Sequence, residues 1–315
     1  MSSPEPPRAV AGGGQAAADS DRGGLRAELP YHAYRAAYRI ARALPERRAR
    51  SLFDVVGRAG HAVLPGLRDT VAANQARVLG LPASHPTVRA STAAAFRAYA
   101  RYWADSFRLD LLSDDEIVSR TQVVGYEHVE EALGRGGGLI CALPHIGNWD
   151  VGGRYMSARG WPPVSVAEDL QPPRLFELFL RHRQAMGIEI LGLSQGRQVG
   201  RTLARRLGEN RLVALVADRD LTGRGVDVSM FGAPRRLPAG PALLAITTGA
   251  PILVAPVYQT RDGWRIVFGA PLPADDTGER RRDIEELTGR MALEFERAIS
   301  AAPSDWHVFQ PAWTP

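Results

Sequence analysis

The chain has no lysine, although it carries 39 lysine-plus-arginine positions and a formal net charge of +5. Every one of those cations is therefore arginine. Codon usage in a GC-rich genome explains most of this count, because alanine, glycine and proline are abundant as well. A guanidinium also grips phosphate with two donors, so individual arginines are candidates for phosphate binding. A net charge of +5 over 315 residues is a modest field, and without a recognisable module it argues against nucleic-acid binding.

Cysteine occurs once, at Cys141, which excludes an intrachain disulfide. Cys141 lies in the apolar run at residues 138–143 and is predicted to be a buried core thiol, which fits a reducing compartment. No Cys/His cluster has the spacing of metal ligands, so we expect no metal. There is no Walker loop, and the glycines at 134–138 do not fit a dinucleotide fingerprint. The sequence therefore predicts no cofactor.

Long apolar runs are also missing, since no stretch approaches the ~20 apolar residues that cross a bilayer. Residues 1–24 consist of Ser, Pro, Ala and Gly with scattered charge, and they contain no apolar signal core. This composition predicts a disordered tail. We expect a protein that is neither secreted by a signal peptide nor integral to the membrane.

A segment at residues 31–44 combines an aromatic and a basic stripe at helical spacing: Tyr31, Tyr34 and Tyr38 on one, Arg35, Arg39 and Arg42 on the other. This pattern is typical of a helix lying in a membrane interface. It is equally typical of a surface helix that packs its tyrosines on the domain. Residues 25–115 are predicted to be mainly helical and membrane-associating.

Strands alternate with helices in residues 116–315. Short apolar runs predict strands at residues 138–143, 163–167, 189–191, 212–217, 251–258 and 264–269. Such alternation predicts an α/β fold with a mostly parallel central sheet flanked by helices. We expect one domain over residues 25–315, with a helical extension at 25–115 and an α/β catalytic core at 116–315.

The sequence PHIGNWD at residues 144–150 follows the first strong strand and brings His145 close to Asp150. Ligands of open α/β sheets lie at the carboxyl ends of strands. A histidine can take a proton from an alcohol near neutral pH, and a carboxylate can fix its tautomer. Five positions on one helix separate side chains by roughly 140°. The two side chains can therefore meet only if His145 lies in the loop and Asp150 in the first turn of the next helix.

A second catalytic pattern is Gly192-Leu193-Ser194-Gln195-Gly196, which matches the nucleophile elbow of serine hydrolases. Asp218 or Asp305 could supply the acid and His307 the base. This hypothesis of a serine esterase or lipase leaves PHIGNWD and the ADRD sequence at residues 217–220 unexplained. A third hypothesis is a non-catalytic protein that binds membrane surfaces, for which His145 would be dispensable.

Four blocks in order resemble a known family: residues 144–150, 166–191, 216–258 and 303–313. They resemble the lipid acyltransferases related to lipid A lauroyl acyltransferase, in the lysophospholipid acyltransferase superfamily. Within that group, the actinobacterial phosphatidylinositol mannoside acyltransferases are the most similar. The resemblance covers roughly residue 52 to the C-terminus, and its two middle blocks are long and specific.

The resemblance implies a glycerolipid acyltransferase-like fold and an enzyme that uses acyl-CoA as co-substrate without a metal. It implies transfer of a long-chain acyl group, palmitoyl, to a mannose hydroxyl of a phosphatidylinositol mannoside. His145 would be the general base and Asp150 the residue that orients it. Another glycolipid or a lysophospholipid as acceptor would use the same machinery.

Further site residues follow from the same resemblance. Glu168 and Arg183 match positions that hold the acceptor's polar head, unless they merely pair with each other on the surface. Asp218, Arg219 and Asp220 line the active groove by the same analogy. Apart from the resemblance, the apolar candidates for the acyl chain, which could equally be plain core, are Trp149, Phe176, Phe179 and Leu180. The candidates for phosphate binding, against a solvated surface role for each, are Arg174, Arg219, Arg235 and Arg236, of which the last two lie in a family block. Lauroyl transferases carry a hydrophobic N-terminal anchor, and this chain has only the amphipathic segment at 31–44. That departure favours a peripheral protein at the cytoplasmic face of the cell membrane.

Overall fold

The computed structural model describes residues 14–221, 223–274 and 277–313, with side chains from residue 28 onward. Its N-terminal third is helical: α1 Gly14–Ala43, α2 Glu46–Val63, α3 Pro65–Leu79, α4 Pro86–Ser106 and α5 Asp114–Ser119. A disordered tail was predicted for residues 1–24, and residues 1–13 of it lie outside the described residues. From Gly14 onward the segment is part of α1.

The rest of the chain alternates strands and helices. The strands are β1 Thr121–Val124, β2 Leu139–Leu143, β3 Val164–Ala167, β4 Glu189–Gly192, β5 Leu212–Val216, β6 Val226–Met230, β7 Ala233–Leu237, β8 Ile252–Val254, β9 Val257–Gln259 and β10 Trp264–Val267. The helices are α6 Tyr126–Gly134, α7 Trp149–Ala158, α8 Pro173–Ala185, α9 Arg197–Gly208, α10 Gly240–Thr248 and α11 Arg280–Ala301.

A five-stranded sheet in the order β4-β3-β5-β2-β8 forms the centre of the α/β part, and all its pairs are parallel. This confirms the predicted α/β fold with a mostly parallel sheet. The strand predicted at residues 251–258 is instead two strands, β8 and β9, which belong to different sheets. Pro256 lies between them, and a proline cannot donate a ladder hydrogen bond.

The β6–β7 hairpin was not predicted from the sequence. Its two-residue turn places Phe231 and Gly232 at φ 51° and 70°. Positive φ at both central residues matches the right-handed twist of the flanking strands, and glycine supplies one of them without strain.

Strand β2 carries the core of the sheet on both faces. Ile140 and Ala142 pack into the cluster that includes α9, α10 and α11, while Leu139, Cys141 and Leu143 pack into the opposite cluster. Cys141 is buried, as predicted, and burial raises the pKa of its thiol to about 12. Continuous burial of this kind is typical of a central parallel strand covered on both sides.

The tyrosines of α1 pack on the domain. Tyr34 makes edge contacts with Trp103 and Phe107, at ring-centroid distances of 5.6 and 5.0 Å. Tyr38 contacts Phe107 and His182 at 5.6 and 5.4 Å. Of the two interpretations of residues 31–44, packing on the domain is the one that these contacts support. Among the described helices, none is both long enough and apolar enough to cross a membrane.

Helix α2 lies on α4 at a backbone separation that only glycine permits. A Cβ built on Gly57 would lie 2.8 Å from the carbonyl oxygen of Phe96 and 2.9 Å from the Cα of Arg97. On Gly60, one turn further along, a Cβ would meet the Phe96 ring at an ordinary 3.5 Å.

This pair of glycines gives a matched test of the α2–α4 packing. Gly57→Ala should lower the free energy of unfolding by about 1–3 kcal/mol, because the helices must separate. Gly60→Ala should raise it by up to about 1 kcal/mol, because alanine favours the helix and meets no obstacle. Denaturant unfolding of both variants measures the difference. Equal effects of the two substitutions would contradict the packing described.

Candidate active site

The loop that carries His145 is held from two sides. The backbone N–H of Gly147 donates to the carbonyl of Asp305 at 2.8 Å, and that of His307 donates to the carbonyl of His145 at 2.7 Å. The N–H of Asn148 donates to the carbonyl of Val257 at 3.0 Å. Gly147 has φ 59°, and a Cβ there would lie 1.8 Å from the Val257 oxygen. The loop therefore requires glycine at 147 and is fixed in one conformation.

The carboxylate that contacts the His145 ring belongs to Asp218. Strands β2 and β5 pair with Leu143 opposite Val216, so the residues that follow them, His145 and Asp218, emerge side by side. Oδ1 of Asp218 bonds Nδ1 of His145, and Oδ2 accepts from the His145 backbone N–H at 3.1 Å. The indole Nε1 of Trp306 donates to Oδ2 at 2.8 Å.

This environment keeps Asp218 ionised, although its side chain is fully buried. Burial raises the pKa of the carboxyl, but the charges of His145 and Arg235 and the hydrogen bonds from His145 and Trp306 outweigh burial and lower the pKa well below its usual range. An ionised carboxylate only accepts hydrogen bonds, so Nδ1 of His145 carries the proton. In the neutral ring, the tautomer assigned by this network leaves Nε2 unprotonated. Nε2 is therefore the basic atom.

Asp150 does not orient His145, which corrects the prediction from the sequence. It lies in the first turn of α7, as expected, but its carboxylate contacts Arg183 at 2.9 Å and accepts from the hydroxyl of Tyr102 at 2.9 Å. Both members of the Asp150–Arg183 pair are almost fully buried. The guanidinium on α8 supplies the positive charge that a buried carboxylate needs, so Asp150 points toward α4 and α8.

A cavity of about 980 Å³ extends from His145 into the protein. It reaches the upper end of the volumes, roughly 300–1,000 Å³, that hold small ligands. Its walls are mainly apolar and include Leu143, Met156, Ile188, Ile190, Ala214 and Phe268. Among the predicted chain-binding residues, Trp149 and Phe179 line this cavity, and Phe176 and Leu180 do not. A long alkyl chain fits such walls better than a polar ligand does.

Several of the predicted head-group residues also line the cavity: Glu168, Arg183, Arg219 and Asp220. Glu168 is exposed, whereas Arg183 is buried against Asp150 and stacks over the Phe179 ring at 3.5 Å. Glu168 and Arg183 therefore do not pair with each other. Asp220 accepts a hydrogen bond from the backbone N–H of Gly225 at 2.7 Å, which stabilises the loop after β5.

The predicted phosphate ligands Arg235 and Arg236 do not line the cavity. Arg235 is buried, donates to the backbone carbonyl of Asp218, and lies over the rings of Trp306 and Trp313 at 5.1 and 5.0 Å. Arg236 is exposed and pairs with Asp227 across the hairpin at 2.8 Å. The alternation of side chains along β7 explains why neighbouring arginines have different surroundings. Arg174 pairs with Glu28 on the surface.

The serine of the alternative catalytic pattern has no histidine partner among the described residues. The hydroxyl of Ser194 donates to Asp169 at 2.8 Å, and its backbone N–H donates to the same carboxylate at 2.7 Å. His307, the proposed base, is buried elsewhere, and Asp305 accepts from the backbone N–H of Gln259 at 3.1 Å. The structure does not bring a serine triad together.

His307 contacts the loop of His145, and this contact was not predicted from the sequence. Its Nε2 donates to the carbonyl of Gly147 at 2.8 Å, and its ring lies 6.1 Å from that of Trp149. Burial, together with the charge of His145, lowers the pKa of His307 to about 3. His307 is therefore neutral at physiological pH and supports the loop of His145. The block PSDWHVFQPAW pointed to this segment but not to its contact with the loop.

The fold and the site together define an α/β protein that holds a histidine–carboxylate pair beside an apolar cavity. A family model of bacterial lipid A biosynthesis acyltransferases matches residues 26–314. The chain belongs to this family and is an acyltransferase.

Relatives of similar length agree with this assignment. A protein of Mycolicibacterium smegmatis named phosphatidylinositol mannoside acyltransferase is 38% identical over 284 residues, which cover 89% of this chain and 90% of that protein. A protein of Mycobacterium tuberculosis with the same name is 38% identical over 287 residues, covering 89% of this chain and 87% of that protein.

The buried neutral His307 predicts a specific loss of stability in mild acid. Its pKa is lower in the folded protein than the unfolded value of about 6.5, so unfolding takes up a proton below that pH. The free energy of unfolding should be unaffected by this group above pH 6.5. It should fall by about 1.4 kcal/mol per pH unit as the pH drops toward 5. His307→Gln should lack this part of the slope in denaturant unfolding between pH 7.5 and 5. An unchanged slope would show that His307 is not buried as a neutral ring.

Proposed function

We propose that this acyltransferase moves a palmitoyl group from acyl-CoA to a mannose hydroxyl of a phosphatidylinositol mannoside. His145 acts as the general base, and Asp218 orients it. The observation that carries the proposal is the His145–Asp218 pair at a cavity with apolar walls. The names and similarity of the mycobacterial relatives support the acceptor class.

The proton moves through Nε2 of His145. The acceptor hydroxyl gives its proton to Nε2 while its oxygen attacks the thioester carbonyl carbon. Asp218 stabilises the imidazolium that forms, because its carboxylate is ionised and held by three donors. The tetrahedral intermediate collapses with cleavage of the C–S bond, and the CoA thiolate takes the proton from the imidazolium. The new ester and free CoA leave the enzyme in its starting state.

The apolar cavity holds the acyl chain of the donor. Met156 of α7, Ile188 and Phe268 form part of its walls. Gly152 and Gly153 of α7 also line it, and α7 packs closely there, since a Cβ on Gly152 would lie 3.0 Å from Val257 and one on Gly153 2.5 Å from Ile188. Binding the chain here presents the thioester carbonyl to the base.

The polar groups at the cavity recognise the acceptor head. Glu168 is exposed and has no hydrogen bond or ion pair among the described residues, so its carboxylate is available to sugar hydroxyls. Arg219 also lines the cavity, and its guanidinium suits a lipid phosphate. We place the enzyme as a peripheral protein at the cytoplasmic face of the cell membrane, where both substrates are accessible.

Single substitutions separate the roles of the two aspartates. In assays of palmitoyl transfer from palmitoyl-CoA to a phosphatidylinositol mannoside, His145→Ala should be inactive while folded. Asp218→Asn should lower kcat by about 10²–10⁴-fold, because the wrong tautomer is favoured and the imidazolium loses its counter-charge. Asp150→Asn should instead lower the free energy of unfolding by about 3–5 kcal/mol, since it leaves Arg183 buried without a charge partner.

Two controls accompany these assays. Ser194→Ala should retain wild-type activity. If Ser194→Ala were inactive and His145→Ala active, the result would favour the serine hydrolase instead. The rate of transfer from palmitoyl-carrier protein is compared with the rate from palmitoyl-CoA, which shows which of the two thioesters is the donor. Wild-type activity of Asp218→Asn would contradict the proposed base.

A further inference from the structure

Helix α2 presents two apolar stripes, and only one of them packs on the protein. Ala49, Phe53 and Gly57 face α4 and are buried. Leu52, Val56 and Val63 follow at positions i, i+4 and i+11 and are 40%, 56% and 69% exposed. Their spacing places them on one side of the helix, about a quarter-turn from the buried face.

The exposed stripe continues into the turn between α2 and α3. Leu64 is 46% exposed there, and Pro65 and Gly66 are exposed as well. Val55, 59% exposed, extends the stripe sideways. Scattered exposed apolar residues are normal on a soluble protein, but a contiguous set indicates an interaction surface.

The unpaired charge beside this stripe is positive. Arg48, at the start of α2, is exposed, makes no ion pair among the described residues and lies about 60° around the helix from the stripe. The two acidic residues of the helix are already neutralised: Glu46 pairs with Arg50 and Arg120, and Asp54 with Arg58 and Arg97. An apolar stripe flanked by an unpaired arginine complements an anionic lipid surface.

Aromatic contacts connect α2 to the cavity. The ring of His61 on α2 lies 5.4 Å from Phe96, which lies 5.1 Å from Phe309. Phe309 lines the cavity that begins at His145. Helix α2 is therefore connected to the wall of the cavity through two ring contacts along its inner side.

We propose that the outward stripe of α2, Leu52, Val55, Val56, Val63 and Leu64, docks the protein on an anionic phospholipid bilayer. The apolar side chains insert between the acyl chains, and Arg48 contacts the headgroup phosphates. The biological role of this surface rests on the proposed lipid acceptor. Binding of the protein to a bilayer can be measured without that acceptor. Membrane contact is thereby assigned to α2, whereas the tyrosines of α1 are occupied within the protein.

Vesicle co-sedimentation tests the surface directly. The full chain is mixed with phosphatidylcholine vesicles with or without phosphatidylinositol. Replacing Leu52, Val56 and Val63 by serine should weaken binding to the anionic vesicles by about tenfold or more. The matched control replaces Leu111, Val124 and Leu293, which are exposed to a similar degree outside α2, and should change binding by less than about twofold. Arg48→Gln should weaken binding only where phosphatidylinositol is present.

The outcomes separate this inference from the proposed reaction. The serine variant should lose activity on vesicle-borne acceptor but keep it on acceptor dispersed in detergent micelles. A wild-type protein that binds vesicles but transfers no acyl group would overturn the reaction and leave the docking surface standing. Wild-type vesicle affinity in the serine variant would overturn the docking. A change from dimer to monomer in that variant, at unchanged vesicle affinity, would assign the stripe to a second copy of the chain and also overturn it.

Discussion

The buried carboxylate of Asp218 is the constraint on which the site depends. One of its oxygens bonds the His145 ring, and the other accepts from the His145 backbone and from the indole of Trp306. These bonds join the ends of β2 and β5 to the C-terminal segment. The ionised state of Asp218 fixes the tautomer of His145, and the packed loop fixes its position. The same group therefore sets both the local structure and the tautomer of His145.

A second buried ion pair supports the site from the other side. Asp150 and Arg183 join α7 to α8, and Tyr102 joins this pair to α4. The three helices form one wall of the cavity, so the pair holds the wall in place. Loss of either partner would leave an uncompensated buried charge, so the pair gives Asp150 a structural role close to His145 without a contact with its ring.

Much of the fold could be predicted from local patterns. Apolar runs such as residues 138–143 located the central strands, and the rule that sites lie at strand ends singled out His145 after β2.

The partner of His145 could not be found in this way. Its distance in the sequence is 73 residues, and it depends on the register of β2 against β5. Asp150 matched the local spacing, but the direction of its side chain depends on Arg183 on another helix. The environment of Arg235 likewise depends on two tryptophans far along the chain.

The tautomer of His145 tests the central claim most directly. Nitrogen-15 NMR of the imidazole in wild type, Asp218→Asn and Asp150→Asn reports which ring nitrogen carries the proton. The account predicts that the proton of the neutral ring lies on Nδ1 in wild type and in Asp150→Asn, and that this preference is lost in Asp218→Asn. A wild-type ring protonated on Nε2, or a preference lost only in Asp150→Asn, would contradict it.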